Sequence, residues 1–174
     1  MSGPTPQPPT LWRIGSDTST YTADDLSGKG PELSGGRWNR TGTPVVYAAT
    51  SRALACLETL VHLGATDLPL NRYLVEIDLP IAAWIARTVF DSTVHVGWDA
   101  EPAGMISLDW GTDWATGRGT LLAEVPSVIV PEESNILINP RHPDAPLTTA
   151  VKMRKWTYDA RLRAGALGRI DPVR

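Results

Sequence analysis

The stretch from residue 35 to residue 62, GGRWNRTGTPVVYAATSRALACLETLVH, constrains the fold more than any other part of the chain. A polar loop that contains two glycines leads into a short β-type run at residues 45–49, and Thr50 or Ser51 can cap a helix after it. That helix is predicted from apolar residues at helical spacing, namely Ala53, Leu54, Leu57, Leu60 and Val61. The order loop, strand, helix predicts a domain with both β and helical structure, in which polar side chains surround a pocket.

Three polar side chains are spread along this stretch: Arg37 in the loop, Tyr47 in the strand and Glu58 in the helix. A guanidinium group holds a phosphate bidentately, a tyrosine stacks on a flat ring, and a carboxylate stabilises a positively charged sugar. The three suit a pocket for a phosphorylated nucleotide whose glycosidic bond is broken. Plainer interpretations stay open: a structural ion pair or a His62 contact for Glu58, a solvated turn for Arg37 and a core position for Tyr47.

Two further residues are candidates for contact with a ligand. Arg13 lies inside a predicted strand at residues 11–14, where an arginine is usually an edge or pocket residue. Ser127 follows Pro126 at a break between apolar runs and could hydrogen-bond a phosphate or ribose, although serines at such breaks are common. No metal site is predicted, because the three histidines lie far apart without metal-ligand spacing.

Composition limits the class of protein. The chain has 174 residues, 42% of them hydrophobic, which fits one compact domain. A net charge of -3 argues against a dedicated nucleic-acid binder. The single cysteine, Cys56, is compatible with a reducing compartment. We find neither a signal peptide nor an apolar run long enough to cross a membrane, so we expect a cytoplasmic protein.

The remaining pattern predicts an α+β fold in a single domain, with a mixed β-sheet core and flanking helices. We expect a disordered lead at residues 1–10, a folded domain at 11–162 and a mobile tail at 163–174. Within the domain, residues 16–44 read as a long loop, and residues 80–120 as loops with one short helix near 109–116. Further strands are predicted at residues 72–79, 120–125, 127–130, 135–138 and late in the chain at 152–158.

Several motifs, taken in order, resemble the RES-domain toxins, the toxin half of bacterial RES–Xre toxin–antitoxin pairs. The matching stretches are LWRI at 11–14, GGRWN at 35–39, PVVYAATS at 44–51, LETLVH at 57–62, VPSVIVPEESNILINPRHP at 125–143 and YDARL at 158–162. The resemblance implies a fold like that of ADP-ribosyltransferases. It also implies an enzyme that degrades NAD+ at the nicotinamide–ribose bond by phosphorolysis or hydrolysis and so arrests growth. The alternative is transfer of ADP-ribose to a host protein.

The resemblance also assigns roles to the candidate residues. Glu58, Arg37 and Tyr47 are expected to be catalytic, and Arg13, Arg37, Tyr47 and Ser127 to bind NAD+ or phosphate. NAD+ is then a substrate, inorganic phosphate a co-substrate, and no bound cofactor is expected. The implied partner is an Xre-type antitoxin that covers the active site, in a larger complex with a toxin homodimer. The tail and the loop at residues 16–36 are plausible antitoxin contacts.

Overall fold

The computed structural model describes residues 7–63 and 69–162. Seven strands form one sheet: β1 (Leu11–Ser16), β2 (Val46–Ala49), β3 (Arg72–Asp78), β4 (Thr88–Val89), β5 (Leu122–Pro126), β6 (Ser134–Ile138) and β7 (Thr149–Lys155). Among these described residues, four α-helices accompany the sheet: α1 (Lys29–Ser34), α2 (Arg52–Leu60), α3 (Ile81–Ala86) and α4 (Met105–Gly117). The sheet order is β4-β5-β6-β2-β1-β3-β7, and only β4 and β5 pair in parallel. The predicted single α+β domain with a mixed sheet is confirmed.

The sheet is nearly interrupted between β1 and β2. β1 pairs with β3 along its whole length, from Leu11 opposite Ile77 to Ser16 opposite Arg72. Toward β2 it makes a single register pair, Trp12 opposite Ala49, whereas β2 pairs with β6 over four residues. The two halves of the sheet therefore diverge on either side of one contact, and this divergence leaves room for a cavity.

Alternate residues of the strands pack on the two faces of the sheet. Leu11 belongs to a buried cluster with Val75 and Ile77 on one face. Its neighbour Trp12 packs on the other face with Leu54 of α2. Helix α2 is thus held against the same part of the sheet that borders the cavity.

The loop at residues 35–39 is fixed by close packing against α4. Trp38 is only 2% exposed, with its ring stacked on Trp98 at 6.0 Å and edge-on to Phe90 at 4.8 Å. At Gly111 of α4, an added Cβ would lie 2.0 Å from the Trp38 carbonyl oxygen. Only glycine allows helix and loop to approach this closely, so the loop has one well-defined position.

Several predicted elements differ from the observed ones. Residues 16–44 are not all loop, because α1 lies within them, and residues 80–120 contain α3 and β4 as well as α4, which is longer than predicted. The run at 127–130 is an irregular bend and not a strand. The Ser127 hydroxyl accepts hydrogen bonds from the amides of Ile129 and Val130, and the Ser127 amide donates to the Glu133 carbonyl, so backbone groups are satisfied locally.

The predicted apolar face of α2 is also only partly correct. Leu54 is buried, but Leu57 and Val61 are 38% and 59% exposed. The helix packs on the sheet through Leu54, Ala55 and Leu60, while Val61 borders the cavity. A cavity beside the helix thus replaces part of the expected core contact.

Parts of the predicted lead and the whole predicted tail, residues 1–6 and 163–174, lie outside the described residues. Residues 7–10 precede β1 without helix or strand structure. Within the described part of the chain, none of the helices has the length and apolar character needed to span a membrane.

Candidate functional site

A cavity of about 790 Å³ lies where β1 and β2 diverge. Four of the five predicted site residues line it: Arg13 from β1, Arg37 from the loop at 35–39, Tyr47 from β2 and Glu58 from α2. Apolar groups complete much of the wall, among them Trp12, Ile14, Ala49, Val128 and Ile129. A mostly apolar cleft with a few converging polar groups is the usual form of a small-molecule site.

Glu58 is held firmly on one side. Its helix begins at the N-cap Ser51, whose hydroxyl oxygen accepts a hydrogen bond from the Leu54 amide. The Oε1 atom of Glu58 accepts two hydrogen bonds, from the Ser127 hydroxyl at 2.8 Å and from Nδ2 of Asn135 at 2.5 Å. The alternative interpretations are not supported, since the ion pairs and hydrogen bonds found among the described residues join Glu58 neither to an arginine nor to His62.

The direction of the Ser127 hydrogen bond is fixed by its surroundings. Ser127 is fully buried, and its oxygen accepts the amide hydrogens of Ile129 and Val130, both at 3.1 Å. A hydroxyl has one hydrogen to donate, and here it points to Glu58. Ser127 lies behind Glu58 and is not part of the cavity wall, so its direct contact with phosphate stays a prediction.

The arrangement leaves the second carboxylate oxygen of Glu58 available. No group in residues 7–63 or 69–162 donates a hydrogen bond to Oε2, whereas Oε1 receives two. Since Glu58 borders the cavity, Oε2 is the atom that can meet a ligand. The two donors at Oε1 restrict the rotation of the carboxylate.

Arg37 projects from the tip of a very tight turn. The Gly36 amide donates to the Asn39 carbonyl at 2.9 Å, which closes the turn around Arg37 and Trp38. The Arg37 Nη1 atom donates to the carbonyls of Trp98 at 3.2 Å and Ala100 at 2.8 Å. Its Nη2 atom lies 2.7 Å from the Glu101 carboxylate. The plain interpretation of Arg37 as a solvated side chain is therefore wrong, because only 18% of the side chain is exposed.

Tyr47 joins the same turn from the neighbouring strand. Its hydroxyl donates to Oδ1 of Asn39 at 2.7 Å and accepts the amide hydrogen of Trp38 at 3.0 Å. Burial raises the pKa of the Tyr47 hydroxyl, although the hydrogen bond from Trp38 and the charge of Arg37 oppose the shift. A Cβ at Gly36 would lie 2.7 Å from this hydroxyl, which explains the need for glycine there. The hydroxyl thus serves the loop, and the ring is the part of Tyr47 left to border the cavity.

Arg13 borders the cavity from β1. Its Nη1 atom donates to the Asp25 carbonyl at 3.0 Å, and burial lowers the pKa of its guanidinium, partly offset by the Asp25 charge. An arginine remains protonated despite such a shift. Arg13 therefore brings a positive charge to the wall of the cavity.

Asn135 and Glu101 were not singled out by the sequence. Asn135 stands 77 residues from Glu58 and Glu101 stands 64 residues from Arg37. The only local signal for Asn135 is a polar residue that opens an apolar strand, and Glu101 offers none. Among the described residues, no group of three His, Cys, Asp or Glu side chains is arranged to hold a metal ion.

Comparison with known proteins identifies the family to which this chain belongs. A family model described as "RES domain" matches residues 10–161 of the chain. The protein "Prs ADP-ribosylating toxin" of Sphingobium sp. (strain YBL2) is 58% identical over 153 residues, which cover 87% of this chain and 95% of that protein.

More distant relatives carry a simpler name. "Toxin Res" of Pseudomonas putida is 40% identical over 154 residues, 87% of this chain and 98% of the relative. "Toxin Res" of Yersinia enterocolitica is 34% identical over 144 residues, 82% of this chain and 93% of the relative. The similarity therefore extends over nearly the whole length of each relative.

Proposed function

Because the chain belongs to the RES-domain family, we propose that it is a toxin enzyme that breaks the nicotinamide–ribose bond of NAD+. The observation that carries the proposal is Glu58, held at one oxygen by Ser127 and Asn135 while its other oxygen is available to the cavity. A positioned carboxylate suits a reaction in which positive charge develops on a sugar.

In the proposed reaction the bond between ribose C1′ and the pyridinium nitrogen breaks, and both electrons go to nitrogen. Nicotinamide leaves as a neutral molecule, so the site needs no strong general acid. The ribose becomes positively charged, and Oε2 of Glu58 stabilises that charge. Arg37 and Arg13 hold the pyrophosphate, and the ring of Tyr47 packs against the nicotinamide or its ribose.

We propose a protein as the first candidate for the acceptor of ADP-ribose. The 58% identical relative is named for ADP-ribosylation of Prs, and an identity this high over most of both chains favours the same chemistry here. An O–H or N–H group of the target would attack C1′ and lose a proton. The products are ADP-ribosylated protein, nicotinamide and one proton.

The second candidate is cofactor destruction by phosphate or water. It is favoured by the presence of two arginines at one cavity, since one can hold the pyrophosphate while the other holds an incoming inorganic phosphate. Attack by phosphate gives nicotinamide and a phosphorylated ADP-ribose, and attack by water gives nicotinamide, ADP-ribose and a proton.

One experiment separates these acceptors. The purified chain is incubated with NAD+ labelled in the adenylate phosphate, alone, with inorganic phosphate, or with purified Prs protein. Label on Prs supports the first candidate, whereas labelled products of NAD+ cleavage with no protein label support the second. Intact NAD+ in all three samples, from protein free of any inhibitor, would refute the proposed bond cleavage.

We also propose that an Xre-type antitoxin covers the cavity and that the toxin is a homodimer within their complex. Uncontrolled use of NAD+ would harm the cell that makes the enzyme, so a toxin of this kind requires an inhibitor. Co-expression with an Xre-type protein should restore growth and abolish nicotinamide release. Light scattering of the purified complex measures its stoichiometry.

A further inference from the structure

The guanidinium of Arg37 already has an anionic partner at the border of the cavity. The Glu101 carboxylate lies 2.7 Å from Nη2, and both residues border the cavity. A carboxylate and a phosphate make the same kind of charge-assisted hydrogen bond to an arginine. Glu101 therefore stands in the kind of position that a substrate phosphate would occupy.

The hydrogen bonds that Arg37 already makes limit how its guanidinium can bind a phosphate. An arginine carries five N–H hydrogens, and three of those on Arg37 are used by the Trp98 carbonyl, the Ala100 carbonyl and Glu101. A phosphate that binds bidentately must use the remaining hydrogens beside the carboxylate, or displace it. In the first case two anions meet at one guanidinium, and in the second a hydrogen bond is lost.

Displacement of the carboxylate is easy, however. The Glu101 side chain is 80% exposed, in contrast to 18% for Arg37. An exposed ion pair contributes little free energy, because water solvates the released carboxylate. The segment that carries Glu101 would stay in contact with Arg37, since the carbonyls of Trp98 and Ala100 accept their hydrogen bonds independently of the Glu101 side chain.

We propose that Glu101 limits the affinity of the cavity for the phosphate-bearing part of its substrate, by competing for Arg37. This inference rests on the proposed function, because it takes NAD+ as the ligand. Glu101 acts on substrate binding and takes no part in bond cleavage. It is thus a residue that sets KM and leaves kcat unchanged.

The test compares Glu101→Gln with Asp99→Asn and the native chain. Glutamine keeps the length and an oxygen acceptor for Arg37 but removes the charge. Asp99 is exposed, lies two positions away and does not border the cavity, so its substitution makes the same charge change nearby. We measure nicotinamide release in the presence of inorganic phosphate and purified Prs protein for KM and kcat, and the Kd of ADP-ribose by calorimetry.

We expect the glutamine variant to lower KM for NAD+ and Kd for ADP-ribose by about two- to fivefold, the scale of an exposed ion pair. The asparagine variant should stay close to native. Nicotinamide release with equal KM and Kd in all three proteins would overturn the role of Glu101 alone. A higher KM and Kd in the glutamine variant would also overturn it, by showing that the ion pair prepares Arg37 for binding. Absence of nicotinamide release from every variant would instead refute the proposed function on which the inference rests.

Discussion

Replacement of Glu58 by glutamine removes the negative charge from the cavity with little change of shape. The glutamine oxygen can take the place of Oε1 and accept the same two hydrogen bonds from Ser127 and Asn135. The amide nitrogen then stands where Oε2 stood. A partly positive NH2 group thus replaces a full negative charge at the atom that faces the ligand.

The expected loss follows from the electrostatic energy of one charge pair. A carboxylate about 4 Å from a positively charged ribose contributes about 4 kcal/mol at an effective dielectric constant near 20. Because about 1.4 kcal/mol corresponds to a factor of ten in rate, kcat should fall about 10³-fold. The free energy of unfolding should change by less than about 1 kcal/mol, since both buried donors keep an acceptor.

The assay is the initial rate of nicotinamide release, measured by chromatography, with denaturant unfolding of the same samples. Glu132→Gln provides a matched control, because Glu132 is exposed and outside the cavity wall. It should have native kcat and native stability. A Glu58→Gln protein that is folded and retains more than a tenth of native kcat would refute the role given to the carboxylate.

Three other substitutions test the remaining parts of the site. Arg37→Lys should raise KM for NAD+ about tenfold, as measured by nicotinamide release, because a lysine cannot reproduce the bidentate fork; an unchanged KM would contradict phosphate binding. Tyr47→Phe should lower the free energy of unfolding by about 1–3 kcal/mol in urea, because the Trp38 amide loses its acceptor; native stability would contradict this. Gly111→Ala should destabilise the fold by several kcal/mol, because the added Cβ would lie 2.0 Å from the Trp38 carbonyl oxygen. Gly117→Ala in the same helix is the control: its Cβ would have nothing within 4 Å, so the change should be neutral or stabilising by about 0.5–1 kcal/mol. Equal melting temperatures for the two alanine variants would refute the close-packing argument.

The sequence predicts the elements whose side chains repeat with a clear period. β1, β2, β3 and α2 follow from alternating or helical apolar patterns. The sequence predicts Thr50 or Ser51 as the N-cap of α2, and Ser51 is the one that caps it. Helix α1 gives no such signal, because its six residues, KGPELS, include a glycine and a proline and none is buried. Residues 127–130 mislead for the opposite reason: their β-branched residues suggest a strand, but the Ser127 side chain satisfies the backbone in a bend.

The site was predictable to the extent that its residues share one local segment. Arg37, Tyr47 and Glu58 stand close in sequence, and the structure brings all three to one cavity. Arg13 and Ser127 were assigned mainly through the family resemblance. Contacts such as that between Asn135 and Glu58 join distant parts of the chain, so they depend on strand order, which local patterns do not reveal.

The strand order also explains why a cavity exists at this place. β1 belongs to one half of the sheet through β3, and β2 belongs to the other half through β6, so the single pair between Trp12 and Ala49 is the seam. Beyond that pair, the facing edges of β1 and β2 do not pair with each other, and unpaired backbone groups must find water or a ligand. A continuous sheet would have closed this space with ladder hydrogen bonds. The fold lacks those bonds beyond the pair of Trp12 and Ala49, and the side chains proposed for chemistry project from the strands, the helix and the loop at residues 35–39 that border the cavity.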